Sequence, residues 1–245
     1  MPPSKRARAY ARRRQSEWEA RQRRSAALRR RRAVLAAVVI GTLVLGTAAG
    51  AIVLASQPAA TPPTAAQDIP SFSAAPSPAE AQGRTWTAEM TTSRGAITLE
   101  LDGAAAPQAV ASFLMLAREG FYTDITCHRL VLGTLIQCGD PTQTGLGGPG
   151  YLFGPIENAP EDGQYPAGSV VMARFADDPD SQGSQFFVML SDGVIEDDAA
   201  GGYTVFGRVT AGMDVLAEAA GSGTVGAGPD GVPVVRLTIE GVVIS

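Results

Sequence analysis

The sequence predicts a mainly β domain, a closed antiparallel barrel of eight strands with two helices, preceded by a single transmembrane helix. Three observations predict it. Charge is divided between two unlike parts of the chain, an uncharged apolar run separates them, and beyond residue 84 short alternating runs recur evenly between Gly, Pro and Asp. With many short strands and few helices, closure removes exposed strand edges.

Residues 1–32 carry 13 of the 20 Lys+Arg and, of the acids, Glu17 and Glu19, a local balance of +11; the remainder holds 7 basic against 22 acidic residues, or −15. Such unlike parts belong in different environments. Residues 33–55 contain no charge, and at helical rise they span roughly 34 Å, against about 30 Å for a bilayer core. Arg29, Arg30, Arg31 and Arg32 abut the start of this run, which keeps that side cytoplasmic and places the C-terminal part outside. A cleaved signal peptide, with an A-x-A-like site near Ala49 or Ala55, is the rival. The run exceeds an ordinary signal core and the basic segment is unusually extended, which favours an uncleaved anchor. No cysteine follows to carry a lipid anchor. The basic tail reads as a topology determinant touching anionic lipid, and no nucleic-acid partner is expected.

Residues 56–83 are rich in Ala, Pro, Ser and Gln and lack apolar periodicity, as in an extended, mobile tether. The domain proper is expected from residue 84. Strands are expected at 85–91 and 96–101, joined by a turn at Ser93, Arg94 and Gly95. A helix follows at 107–118, with Val110, Phe113, Leu114 and Ala117 on one face and Pro107 in its first turn. Residues 127–141 hold a hairpin turning at Gly133 and Thr134. The Gly-rich loop 142–150 lacks the strand–loop–helix setting of a phosphate site and reads as structural. Strands at 169–174, 185–190 and 203–209, a helix near 213–220 and a last strand at 234–244 complete the set.

The segment 127–141 also concentrates the residues with chemistry: both cysteines, the one histidine, Arg129 and Gln137. Cys127 and His128 are adjacent, so on a strand they face opposite ways, and no further Cys or His completes a metal set. No metal is expected, and His128 reads as a packed or hydrogen-bonded structural residue. Cys127 and Cys138 lie near the open end of the hairpin and could form a disulfide outside the cytoplasm or stay as two buried thiols. Arg129 and Gln137 stand on its two antiparallel strands, where a guanidinium fork and an amide beside it could bind a carbonyl or an amide nitrogen, or sit idle on the surface.

C-H-R-L with L-I-Q-C-G-D-P at 127–141, G-L-G-G-P-G-Y at 145–151, G-S-V-V-M-A at 168–173, G-S-Q-F-F-V at 183–188 and Y-T-V-F-G-R-V at 203–209 together resemble the cyclophilin-type peptidyl-prolyl cis-trans isomerases, and in particular membrane-anchored bacterial members. The resemblance covers about residues 86–245. It implies an eight-stranded barrel with two capping helices, a proline groove on its outside and no cofactor. It assigns Arg129 as the catalytic donor to the prolyl nitrogen, Gln137 as the holder of the substrate backbone, and Phe187 as the pocket floor. Leu135 stands where the family usually has Met; Ala173 and Gln185 line the groove. Thr134 replaces a common pocket Phe, Arg174 a common Asn and Tyr203 a common His, so these three also fall at substrate-binding positions. The implied function is isomerisation of X-Pro bonds in exported proteins, assisting their folding; partners are proline-containing polypeptides and, through the single helix, the membrane. The alternative implied by the Thr134 and groove changes is a catalytically weakened proline-binding or chaperone module of the cell envelope.

Overall fold

The computed structural model describes residues 70–245; the tail, the expected membrane helix at 33–55 and the first half of the tether lie outside them. Among the described residues no helix is long and apolar enough to cross a membrane.

The first hairpin follows from alternation. β1 (Thr85–Thr92) and β2 (Gly95–Asp102) pair along their whole length, and Trp86, Ala88 and Met90 turn inward opposite Leu101, Leu99 and Ile97. α1 (Pro107–Arg118) buries Val110, Phe113 and Leu114 in the same core. Its N-cap, Ala106, has no side chain to offer, and the carboxylate of Glu157 substitutes from a distant loop. It accepts from the amides of Gln108 and Ala109 at 3.0 Å each, meeting otherwise orphaned donors with a favourable charge. Phe113 then stacks on Tyr122 at 5.0 Å and meets Phe186 and Phe206 at 5.7 and 5.6 Å.

The remaining strands are β3 (Ile125–Thr126), β4 (Arg129–Val131), β5 (Leu135–Cys138), β6 (Gln164–Tyr165), β7 (Ser169–Met172), β8 (Phe186–Met189), β9 (Gly193–Val194), β10 (Val205–Ala211), β11 (Asp230–Gly231) and β12 (Thr238–Ile244), with α2 (Met213–Gly221) between β10 and β11. The main sheet is antiparallel and runs β11-β4-β5-β8-β7-β10-β2-β1-β12-β3, while β6 and β9 pair separately. Among the described residues the fold is mainly β, with a curled sheet, two α-helices and a short 3-10 helix at Pro78–Ala81.

The observed sheet has ten strands, not the expected closed set of eight, for two reasons. The run expected as one strand of the central hairpin extends back to Ile125 and divides at Cys127 and His128. β3 pairs with β12 and β4 with β5, while the linking amides of Cys127 and His128 donate to Leu237 and Gln137 on the two sides. So β3, at one end of the sheet, and β4, next to the other, are consecutive in sequence. β11 is a further two-residue strand without apolar content, and alternation gives no signal for it.

Two boundaries also move. The last strand begins at Thr238, because residues 225 and 232–234 instead close a loop through Val225–Val232 and Val234–Gly223 backbone bonds. Residues 70–83, placed in the mobile tether by composition, are packed against the domain. Phe72 donates to Pro149 O at 2.8 Å and packs on the core, Gln108 Nε2 donates to Pro76 O at 3.0 Å, and Ala81 is buried with its carbonyl accepting from Trp86 Nε1. Gly150 permits the approach, since its φ is +95° and a Cβ there would lie 2.5 Å from Ser71 Oγ. A chain beginning at residue 84 is therefore expected to be less stable than one beginning at 70 by about 2–4 kcal/mol, read from urea unfolding. Equal midpoints would show that the segment contributes nothing.

Candidate active site

β4, β5, β8 and β7 place two different faces to use. Leu130, Ile136, Cys138, Val170, Met172, Phe186 and Val188 point into the main core. Leu135, Val171, Phe187 and Met189 point the other way and form a second apolar cluster with Tyr165, against which Val131, Ala173, Tyr203 and Val205 pack. Registration then makes a row across this outer face. Arg129 is opposite Gln137, Gln137 opposite Phe187, and Phe187 opposite Val171. Two polar side chains thus stand at the edge of an apolar floor.

Gly133, with φ +71°, lets three residues turn the β4–β5 hairpin, and a disulfide joins its open end. Cys127 and Cys138 are bonded with their Cα atoms 4.0 Å apart and both are buried. The link stands two residues before Arg129 and one after Gln137, so both side chains rise from backbone held by ladder and crosslink.

Hydrogen bonds across the row have a set direction. Arg129 donates only, so Gln137 presents Oε1 to Nη1 at 3.2 Å and its Nε2 to Gln185 Oε1 at 2.8 Å. Gln185 Nε2 in turn donates to Gly147 O at 2.8 Å. The other edge of Arg129 meets Asp230, Nε to Oδ1 at 2.9 Å and Nη2 to Oδ2 at 2.8 Å. Arg129 and Asp230 side chains are 44% and 48% exposed, so the guanidinium is held in place and still open to a ligand. The hydrogen bond to Asp230 holds Arg129 above its usual pKa, and Arg129 holds Asp230 below the ordinary carboxylate range.

Gln185 also lines a cavity of about 570 Å³, together with Gly147, Tyr151, Ala173, Arg174 and Ser184 among others and with exposed Leu146, Leu152 and Phe175. Its Gly-rich wall is ordered by Asp140, which is fully buried. The Asp140 carboxylate accepts from the Thr142 amide at 2.7 Å, the Thr142 hydroxyl at 2.8 Å and the Gly145 amide. Burial pushes its pKa up, but these bonds outweigh it and keep the carboxyl below its usual value.

The other expected groove residues fall into different places. Leu135 and Ala173 belong to the apolar floor, and Tyr203 sets its ring edge-on to Phe187 at 5.8 Å. Thr134 stays on the hairpin turn, its hydroxyl reaching Leu132 O. Arg174 lies beyond the end of β7 with a side chain that is 0% exposed. All five of its N–H donors are used: on both Asp198 oxygens at 2.8 Å, on Gly202 O and Phe175 O at 3.0 Å, and on Gly201 O. Its guanidinium lies 4.3 Å over the Tyr203 ring. Arg174 thus locks the Gly- and Asp-rich segment before Tyr203 to the floor and has no donor left for a ligand. Asp230, Asp140 and Asp198 were not among the expected site residues. The Gly-Pro-Asp-Gly turn around Asp230 marks a turn, but nothing in the sequence ties it to an Arg 101 residues away.

His128 packs as a structural residue, 8% exposed, and neither ring nitrogen has a hydrogen-bond partner. Burial lowers its pKa, Asp140 opposes that and Arg129 adds to it. Because the folded value lies below the unfolded one, stability is complete above about pH 6.5 and falls as pH drops below it, by at most about 1.4 kcal/mol per unit. His128 is the chain's one histidine. Urea unfolding of His128→Leu should lose this slope as pH drops below about 6.5, and an unchanged slope would count against the assignment.

The family model for "cyclophilin type peptidyl-prolyl cis-trans isomerase/CLD" matches residues 87–243, which contain the whole row. The chain belongs to this family. It is 39% identical over 171 residues to the probable peptidyl-prolyl cis-trans isomerase B of Mycobacterium leprae, covering 64% of this chain and 56% of that protein. It is 40% identical over 139 residues to a peptidyl-prolyl cis-trans isomerase of Helicobacter pylori, covering 56% of this chain and 82% of the relative. The chain thus spans little more than half the length of the mycobacterial relative. Among solved structures, a Cryptosporidium parvum cyclophilin type peptidyl-prolyl cis-trans isomerase, determined in the presence of the dipeptide Ala-Pro, superposes with a TM-score of 0.56 at 28% identity, over 65% of this chain and 98% of that one. As a cyclophilin-type domain, the chain carries its polar pair and apolar floor inside the matched segment, and the Arg174–Asp198 lock lies there too.

Proposed function

We propose that this chain is a peptidyl-prolyl cis-trans isomerase that works on exported proteins from the outer face of a membrane. The observation that carries the chemistry is the registered row Arg129–Gln137–Phe187. Rotation about X-Pro faces a barrier of about 18–20 kcal/mol, because the planar amide loses its resonance at the twisted midpoint. There the prolyl nitrogen gains a lone pair that can accept a hydrogen bond. A held, half-exposed guanidinium beside an apolar floor supplies that donor and little to the planar ground state, which is what lowers a barrier. Phe187 and Leu135 receive the pyrrolidine ring, and Gln137 holds the neighbouring backbone. The cavity lined by Gln185 has room for another side chain of the same polypeptide. No covalent step or cofactor enters.

The setting rests on the sequence: a net +11 tail, an uncharged run at 33–55 and an acidic remainder read as one span with the tail in the cytoplasm. A reporter fused after Ser245 should be active in its extracytoplasmic form; activity of the cytoplasmic form would contradict the orientation. For the function itself, the chain should accelerate the slow, proline-limited refolding phase of a test protein. A slow phase that does not change would sink it.

A further inference from the structure

We infer that Asp230 is a positioning residue for Arg129, acting on catalysis through the guanidinium. This rests on the reading of Arg129 as the catalytic donor. An arginine at a half-exposed position has several rotatable bonds and, left alone, spreads its donors over many directions. Asp230 takes the Nε–Nη2 edge with two parallel bonds of 2.9 and 2.8 Å, which sets both the position and the plane of the group. Gln137 receives Nη1 from the other side. The second hydrogens of Nη1 and Nη2 are what remain for a ligand.

Asp230 is itself built into place. β11 pairs Asp230 with Val131 and Gly231 with Leu130, on the free side of the hairpin strand that carries Arg129. Leu132 donates to Pro229 O at 2.9 Å. The loop behind is closed by the Thr224–Pro233 bridge, the Val225–Val232 bond of 2.8 Å and the Thr224 hydroxyl on Gly228 O. Yet β11 buries no apolar side chain, and an ion pair this exposed adds little to stability. The ladder therefore contributes location more than core, and what it locates is a carboxylate against the Arg129 fork.

The test uses Asp230→Asn, which keeps shape and removes charge, and Asp230→Ala, each with Arg129 intact and with Arg129→Ala. With Arg129 present, Asp230→Ala should lower kcat for an Ala-Pro peptide about tenfold, with KM and the unfolding midpoint nearly unchanged. In the Arg129→Ala background it should change nothing, since its effect runs through the missing group. In NMR, the Arg129 Nε–H signal should exchange faster with water in Asp230→Asn than in the unmodified chain. An unchanged or higher kcat in Asp230→Ala, or an Nε–H exchange rate that does not move, overturns the positioning role. If Arg129→Ala itself leaves catalysis intact, the proposed function fails, and that result is distinct from a failure of Asp230 alone.

Discussion

Replacing Arg129 with Ala is expected to lower kcat/KM for an Ala-Pro peptide by about a hundredfold or more, the usual cost of one preorganised donor at a transition state. Fold stability should stay within about 1 kcal/mol, since the ion pair to Asp230 is close to half exposed. Arg129→Lys should recover little. An ammonium carries the charge but cannot span both Asp230 oxygens and also reach Gln137 from one plane. A loss that falls in KM while kcat holds would mean that Arg129 binds the planar and twisted amides alike. A variant as fast as the original chain would remove the donor from the mechanism.

The second large effect concerns stability. Arg174→Ala takes five donors from Asp198, Gly201, Gly202 and Phe175 and leaves the Asp198 carboxylate with backbone amides alone. Breaking a fully buried pair costs more, but Asp198 keeps 26% exposure. The expected loss is about 2–4 kcal/mol, or roughly 5–15 °C in Tm. Tyr203 would also lose the cation above its ring, so the floor beside Phe187 should loosen and KM rise. The pair holds Asp198 far below the usual carboxylate pKa, so the Arg174 contribution should persist from neutral pH well into the acid range. It is lost only as pH falls through that depressed value. A change below about 0.5 kcal/mol would show the lock to be ornamental.

Much of this was legible because strand alternation carries direction as well as class. The hairpin signal at Gly133 sets the strands of Arg129 and Gln137 antiparallel, as observed, and a loop of three residues rather than the expected two is what pairs Arg129 with Gln137. Val110, Phe113 and Leu114 report the buried face of α1, and the helix has the expected bounds. The cysteine pair, left open between a disulfide and two thiols, is bonded.

What sequence could not give is long-range and polar. Asp230 reaches Arg129 across 101 residues from a two-residue strand with no periodicity, and Asp198 reaches Arg174 from a segment that reads as a loop. Composition placed residues 70–83 in a tether, because Pro and Ala hide a segment whose burial rests on Phe72, Ala75 and Ala81. Arg174 lines the cavity as the linear pattern expects, but five acceptors that the sequence does not reveal occupy its guanidinium. Thr134, the change most suggestive of lost activity, stays on the turn, while the apolar floor is assembled by Phe187, Leu135, Val171 and Tyr203.

The central claim is that the Arg129–Gln137–Phe187 row speeds rotation about X-Pro without favouring either isomer. Exchange NMR on an Ala-Pro peptide with residues 70–245 measures this most directly, because it reads the interconversion rate and both populations in one sample. The account predicts cis–trans exchange far faster than the uncatalysed process of tens to hundreds of seconds, with the free peptide's isomer ratio unchanged by catalytic amounts of protein. An exchange rate equal to that of the free peptide would contradict it.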